Sequence, residues 1–324
     1  MLATAAGLIG AVWAFGSTGW EGIVKALARF GPVGFLLFCL WFLGVFWLLG
    51  AAWLSVTPGE SVDRLWLFTW SRMVREATSD LLPFSQLGGV VIGARSLTTH
   101  GISLRRTNAG LLVDMTTEMA AQLVFTAIGI ALFLMTVTGA AETTTLRPII
   151  FAGTAAMMAM MAAFFVIHRF GLRKAGRLAA RLLPGADCAA DGILDELRAI
   201  YASRSAVALS FLFNLLAWLA SAAGAWIGLR LMGVAAPLSA IVMVESLIFT
   251  LRSVAFVVPG ALGIQEVGYL ALAPVVGIAP EAILALSLAK RARDVVIGLP
   301  TLICWQLMEA HAIASGRSTR RHST

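Results

Sequence analysis

Apolar residues fill this chain in runs too long for an ordinary soluble helix, and short charged segments separate them. Runs over residues 33–54, 111–137, 149–167 and 207–229 each reach the length, roughly 20 residues, at which an apolar helix crosses a bilayer. The first 15 residues are also apolar, with neither a basic leading segment nor an Ala-x-Ala cleavage pattern. They read as a short first span ending near Trp13 and Trp20, not as a signal peptide. Two further regions, 65–97 and 238–305, are apolar but interrupted.

The interruptions carry the most information. Leu81-Leu82-Pro83-Phe84-Ser85-Gln86-Leu87-Gly88-Gly89 joins two modest apolar pieces, and Val257-Val258-Pro259-Gly260-Ala261-Leu262-Gly263-Ile264-Gln265 joins two others. Each has two aliphatic residues, a proline, and glycine a few residues later. Proline removes a backbone donor and glycine permits unusual backbone angles, so both stop a helix. At membrane depth, irregular backbone is tolerated only where protein or water surrounds it. The two segments therefore read as re-entrant hairpins. The first enters from the cytoplasm and the second from outside, which makes two span–hairpin–span units of opposite orientation. The pattern predicts an all-α polytopic membrane protein, with about six full spans plus two re-entrant broken-helix hairpins in an inverted repeat. A single integral membrane domain over 1–324 divides into a first unit (33–137), a connecting span and amphipathic connector (149–204), a second, inverted unit (206–307) and a basic tail (308–324).

Composition agrees with this reading. Apolar residues make up 59% of the 324 and charged residues 13%, against roughly 45–50% and 25% in a soluble domain. The net charge of +7 would suggest nucleic acid in a soluble protein; here it follows from sidedness, and no nucleic-acid partner is expected. Arg95, Arg105 and Arg106 form one basic loop. Arg169, Arg173, Lys174, Arg177, Arg181, Arg198 and Arg204 form a second, and Arg317, Arg320 and Arg321 a tail. Placed in the cytoplasm, they leave only Lys25, Arg29, Arg147 and Arg230 outside, with both termini cytoplasmic. Cys39, Cys188 and Cys304, like His100, His168, His311 and His322, lack the spacing of a disulfide framework or metal site, so neither metal nor cofactor is expected. Within the connector, leucines alternate with basic residues and Asp187, Asp191 and Asp195 follow at four-residue spacing. That suits an amphipathic linking helix with a solvated acidic face, one lying on anionic lipid, or an acidic cation site.

Charge inside apolar runs is costly and marks a cavity or pathway. Arg72, Arg75, Glu76 and Asp80 lead into the first break. Asp114, Glu118 and Gln122 make a stripe on one helix face. Glu245, Arg252 and Glu266 flank the second break, and Lys290, Arg291, Arg293 and Asp294 interrupt a long apolar run. That last group reads either as buried or as a cytoplasmic loop between spans 267–288 and 295–314; burial fits the basic tail better. With Arg95, these groups would line one cavity, several paired and the remaining arginines free for a phosphate-like group. Such a cavity between apolar helices suits an amphipathic substrate, its head inside and its tail in the bilayer.

At these residues the chain resembles a known family. Pro259-Gly260-Ala261-Leu262-Gly263-Ile264-Gln265-Glu266 is similar to the PGGLGxxE signature of the flippase-like transmembrane domain, also found in lysylphosphatidylglycerol synthases. The stretch from Leu82 through Gly88-Gly89 to Arg95 resembles its first-half counterpart, and Ala52-Trp53 stands where members often carry Arg-Trp. Residues 71–101 look closest to the hopanoid-biosynthesis-associated branch. Val90 departs from the pattern, since related sequences often place an acid there. Nothing in the chain could house the soluble aminoacyl-transferase domain of the synthases. The resemblance thus implies lipid translocation or handling, not aminoacylation.

The resulting expectation is a bacterial inner-membrane lipid translocase for an anionic or hopanoid-type lipid, not an enzyme. Its substrate contacts are expected among Arg72, Arg75, Glu76, Pro83, Gly88, Gly89, Arg95, Glu245, Arg252, Pro259, Gly260, Gly263, Gln265, Glu266, Lys290, Arg291, Arg293 and Asp294. Arg252, Arg291 and Arg75 would touch the headgroup, with Glu266, Glu76 and Asp294 orienting them. Asp114, Glu118 and Gln122 would relay protons or hold a coupling ion. Two rivals stand beside it. One is an integral-membrane lipid-modifying enzyme using Glu245 and Glu266 as acid and base. The other is an accessory subunit of a hopanoid or envelope-lipid pathway, docked through the connector. A homo-oligomer fits each of them.

Overall fold

The computed structural model describes residues 12–82, 86–138, 186–254, 261 and 263–314. Helical backbone over 12–18 precedes α1, Trp20–Ser55. Next come α2 (Leu65–Leu81), α3 (Gln86–Thr98), α4 (Leu104–Thr138), α5 (Ala186–Ala202) and α6 (Arg204–Leu231). The chain continues as α7 (Leu238–Val254), α8 (Ile264–Leu272) and α9 (Pro280–Ala314). No strand occurs among the described residues, so the all-α class holds. Three helices, Trp20–Ser55, Leu104–Thr136 and Arg204–Leu231, are long and apolar enough to cross a membrane. They contain the expected runs 33–54 and 207–229 and all but the last residue of 111–137. The run 149–167, the first eleven residues and the connector before residue 186 lie outside the described residues.

Two boundaries differ from the expectation. The stretch holding Lys25 and Arg29, read as an extramembrane loop, is helical and continuous with the following span. Gly31 (φ 61°) and Pro32 kink α1 without ending it. Glycine tolerates the left-handed angle, proline loses only its own donor, and regular helix resumes on the far side. The loop alternative for Lys290–Asp294 is also overturned, because these residues lie within the 35-residue helix α9.

The main core gathers Phe38, Phe42 and Val45 of α1 with Ala225 and Leu229 of α6, Val244 and Ile248 of α7, Tyr269 of α8, and Ile283 and Leu286 of α9. A second apolar cluster, Trp53, Phe68, Leu97 and Leu111, ties α1 to α2, α3 and α4. With lipid outside and protein inside equally apolar, close backbone approach and polar bonds must do more of the joining. Glycines supply the approach. A Cβ on Gly89 would strike the Ser79 hydroxyl and the Arg75 carbonyl, and one on Gly93 would lie 2.9 Å from the Arg75 Cβ. This four-residue glycine spacing seats α3 directly on α2. Gly268 does the same for α8, where a Cβ would lie 2.8 Å from Ile248 and Leu251 of α7. Each helix before a break therefore packs tightly on the one after it.

The apolar face of α5 is occupied internally. Ile193, Leu197 and Ile200 pack on Val56, Ala109, Val113 and Val207.

Candidate functional site

The charges leading into the first break meet those on α4. Arg72 is fully buried, and its guanidinium reaches three carboxylates. Nη1 donates to Asp114 Oδ2 at 2.7 Å, Nη2 donates to Glu118, and Nε lies 3.1 Å from Glu76 Oε1. Arg75 donates to Glu118 Oε2 at 3.1 Å and lies 3.6 Å from Asp114. The four-residue spacing of Asp114 and Glu118 sets both on the α4 face toward α2. From α6, the buried Asn214 amide donates to Asp114 Oδ1 and to the Thr117 hydroxyl, each at 3.2 Å. Thr117 in turn meets Ser210 at 2.8 Å. One guanidinium thus bridges two helices, and a neutral amide braces the far side of Asp114.

The second cluster is built from α7, α8 and α9. Lys290 Nζ donates to Glu245 Oε2 at 2.5 Å and to the Tyr269 hydroxyl at 3.0 Å, and that hydroxyl donates to Glu245 Oε1 at 2.6 Å. All three side chains are buried. Beside them, Glu266 organises the chain as it leaves the second break. Its Oε2 accepts the Gly263 backbone N–H at 2.7 Å, while Oε1 accepts from Ser287 and from Arg291 Nε, each at 2.9 Å. Gly263 caps α8 with φ 79°, an angle glycine adopts without strain. Gln265 also bonds Ser287, at 2.8 Å. The Gly-x-x-Glu end of the sequence motif is therefore a helix cap that a basic side chain of α9 holds in place.

Between the clusters, Arg252 Nη2 donates to Asp80 Oδ1 at 3.3 Å, joining the last turns of α7 and α2. Gln122 bonds Ser253 at 2.5 Å and Thr126 meets Thr250 at 2.7 Å, so α4 and α7 share a polar seam. Arg293 pairs with Asp294 and lies 3.8 Å over the Phe42 ring. Arg252 and Lys290 both face the Phe249 ring, at 5.8 and 5.0 Å.

Of the residues expected at the site, Arg72, Arg75, Glu76, Asp114 and Glu118 come together, as do Glu245 with Lys290 and Glu266 with Arg291. Arg95 joins neither group; it is 53% exposed and pairs with Glu309 near the end of α9. Gln122 leaves the acidic stripe for α7. Gly89 serves helix packing, and Pro83, Pro259 and Gly260 lie outside the described residues. The expected surplus of free arginine is not found here. Arg72, Arg75, Arg252, Lys290, Arg291 and Arg293 each have an acid partner, and the acids (Glu76, Asp80, Asp114, Glu118, Glu245, Glu266, Asp294) outnumber them by one. Asn214, Tyr269 and Ser287 were not anticipated. Asn214 had a signal, a carboxamide within an otherwise apolar run; Tyr269 and Ser287 had none. No group of residues suited to a metal ion occurs among the described residues.

Ala261 stands where the PGGLGxxE signature has its second glycine, and takes φ 48°, a left-handed angle that costs an alanine about 1 kcal/mol. A search among curated proteins returned no match. A family model matches residues 1–300, nearly the whole chain, and by it this membrane protein belongs to the family described as the lysylphosphatidylglycerol synthase TM region.

Proposed function

We propose that this protein is a lipid translocase of the bacterial inner membrane, passing the polar head of an anionic or hopanoid-type lipid between its two charged clusters. Membership of a lipid-associated transmembrane family supports a lipid-related role. The observation that carries the more specific reading is the reversal of sign between the halves. Asp114 stands as far past Pro83 as Lys290 does past Pro259, with opposite charge, while Glu118 and Asp294 correspond in the same register and keep one sign. Glu76 stands as far before Pro83 as Arg252 before Pro259. In both halves, a buried charge on the later helix pairs with an opposite charge on the helix before the break. This register favours an inverted repeat with six spans, two re-entrant hairpins and both termini cytoplasmic, as in transporters whose site lies where broken helices meet.

Because each base in the clusters has an acid partner, a headgroup would enter by exchanging partners. Arg291 and Arg252, partly accessible, and Arg75, buried but less completely than Arg72 and Lys290, are the exchangeable groups. Headgroup-labelled lipid in proteoliposomes tests the reading. The Arg252→Ala/Arg291→Ala double variant should translocate no faster than protein-free vesicles, and wild-type rates in that variant would remove these residues from the pathway.

The enzyme reading is less well supported. Glu245 is fully buried with both oxygens engaged, and Glu266 is committed to a helix cap and Arg291. Covalent change in candidate lipids incubated with the protein, followed by mass spectrometry, would restore it. Docking of a pathway partner on the described part of the connector would not use Ile193, Leu197 and Ile200, which pack internally.

A further inference from the structure

Two ion pairs among the described residues join the first unit (α2 to α4) to the second (α7 to α9). One is Asp80–Arg252 and the other Arg95–Glu309. They lie at different depths, and α9 measures the difference. Asp294 lies close enough to Asp80 and Arg252 to share their field. Glu309 follows Asp294 by some four turns of the same helix, roughly 22 Å at 1.5 Å per residue. That exceeds half the thickness of the hydrocarbon core, about 15 Å. With Asp294 taken at the level of the charged interior, Glu309 falls towards one face of the membrane, and the basic tail beyond it assigns that face to the cytoplasm. Between the two levels α9 packs on α2 without charge: Gly298 sits against Ala77 and Leu81, where a Cβ would come within 2.9 Å of a Leu81 methyl.

We propose that Arg95–Glu309 is a cytoplasmic gate over the charged interior, with Asp80–Arg252 as a second closure deeper in the same seam. Glu309 is well covered and Arg95 half exposed, so the pair is weak enough to open and specific enough to reclose. The purpose of such a gate rests on the translocase reading, but its existence can be tested without any lipid.

The native thiol Cys39 is the probe. It is buried on α1 and lies in the field of Arg293 and Asp294, at the depth of the inner pair. In a Cys188→Ser/Cys304→Ser background, a membrane-impermeant maleimide is added to the cytoplasmic face of inside-out vesicles and the labelling rate of Cys39 is measured. Arg95→Gln and Glu309→Gln should each speed labelling by about fivefold. The reversal Arg95→Glu/Glu309→Arg should return it towards the wild-type rate, which a merely loosened fold would not. Unchanged labelling in both single variants, or acceleration that the reversal fails to correct, overturns the gate. Acceleration corrected by the reversal, in a protein that moves no lipid tested, upholds the gate and counts against the translocase reading instead.

Discussion

The two halves solve the problem of buried charge differently. In the second, Lys290, Glu245 and Tyr269 close on one another, both carboxylate oxygens are engaged and water is shut out. In the first, two arginines share three carboxylates, one of them the partly exposed Glu76, and the Asn214 carbonyl and Arg75 Nη1 are buried without a hydrogen bond. A closed set resists rearrangement, because any movement strands a charge. A set with spare acceptors and an accessible acid can exchange partners. The Lys290 triad reads as a fixed point of the frame, and Arg75 with the partly exposed Glu76 as a part that yields.

Lys290→Met should widen that contrast most. It leaves Glu245 buried with only a hydroxyl, at a cost of about 3–5 kcal/mol, seen as a large fall in thermal stability in detergent. The Glu245→Leu/Lys290→Met double variant should recover most of that loss, since an apolar pair of similar volume has nothing to desolvate. A double variant as damaged as the single would mean the triad does more than neutralise charge. Next in size, Arg72→Ala should destabilise more than Arg75→Ala, by about 2 kcal/mol, because Arg72 is fully buried among three acids. Equal losses would remove the distinction between a pinned and a yielding arginine within the first half. The smallest effect belongs to the second break, where Ala261→Gly should raise stability by at most about 1 kcal/mol by relieving the left-handed angle. A loss of stability there would show that the methyl group packs usefully.

Much of this was legible in the sequence, for reasons that differ by residue. Asp114 and Glu118 announced a shared face because helical period alone puts them there, and the two prolines announced the breaks. What could not be read was the partner. Arg72 and Asp114 are 42 residues apart on separate helices, and only packing brings them to 2.7 Å. Arg95 shows the same limit from the other side. It follows Gly88-Gly89 closely enough in sequence to suggest the cavity, yet Gly89 and Gly93 seat α3 on α2 and the helix carries Arg95 to Glu309. Lys25 and Arg29 show a third limit, since charge ahead of an apolar run suggests a loop and the backbone there is helical up to the kink at Gly31-Pro32.

The central claim is that a lipid headgroup passes between the two halves, and that both take part. The most direct measurement is the rate at which an impermeant quencher gains access to headgroup-labelled lipid in proteoliposomes carrying wild type, Arg75→Ala, Arg291→Ala or both. Wild type should exceed protein-free vesicles, each single variant should fall at least about tenfold, and the double variant should reach background. A wild type no faster than protein-free vesicles would contradict the claim, and either single variant at the wild-type rate would contradict the requirement for both halves.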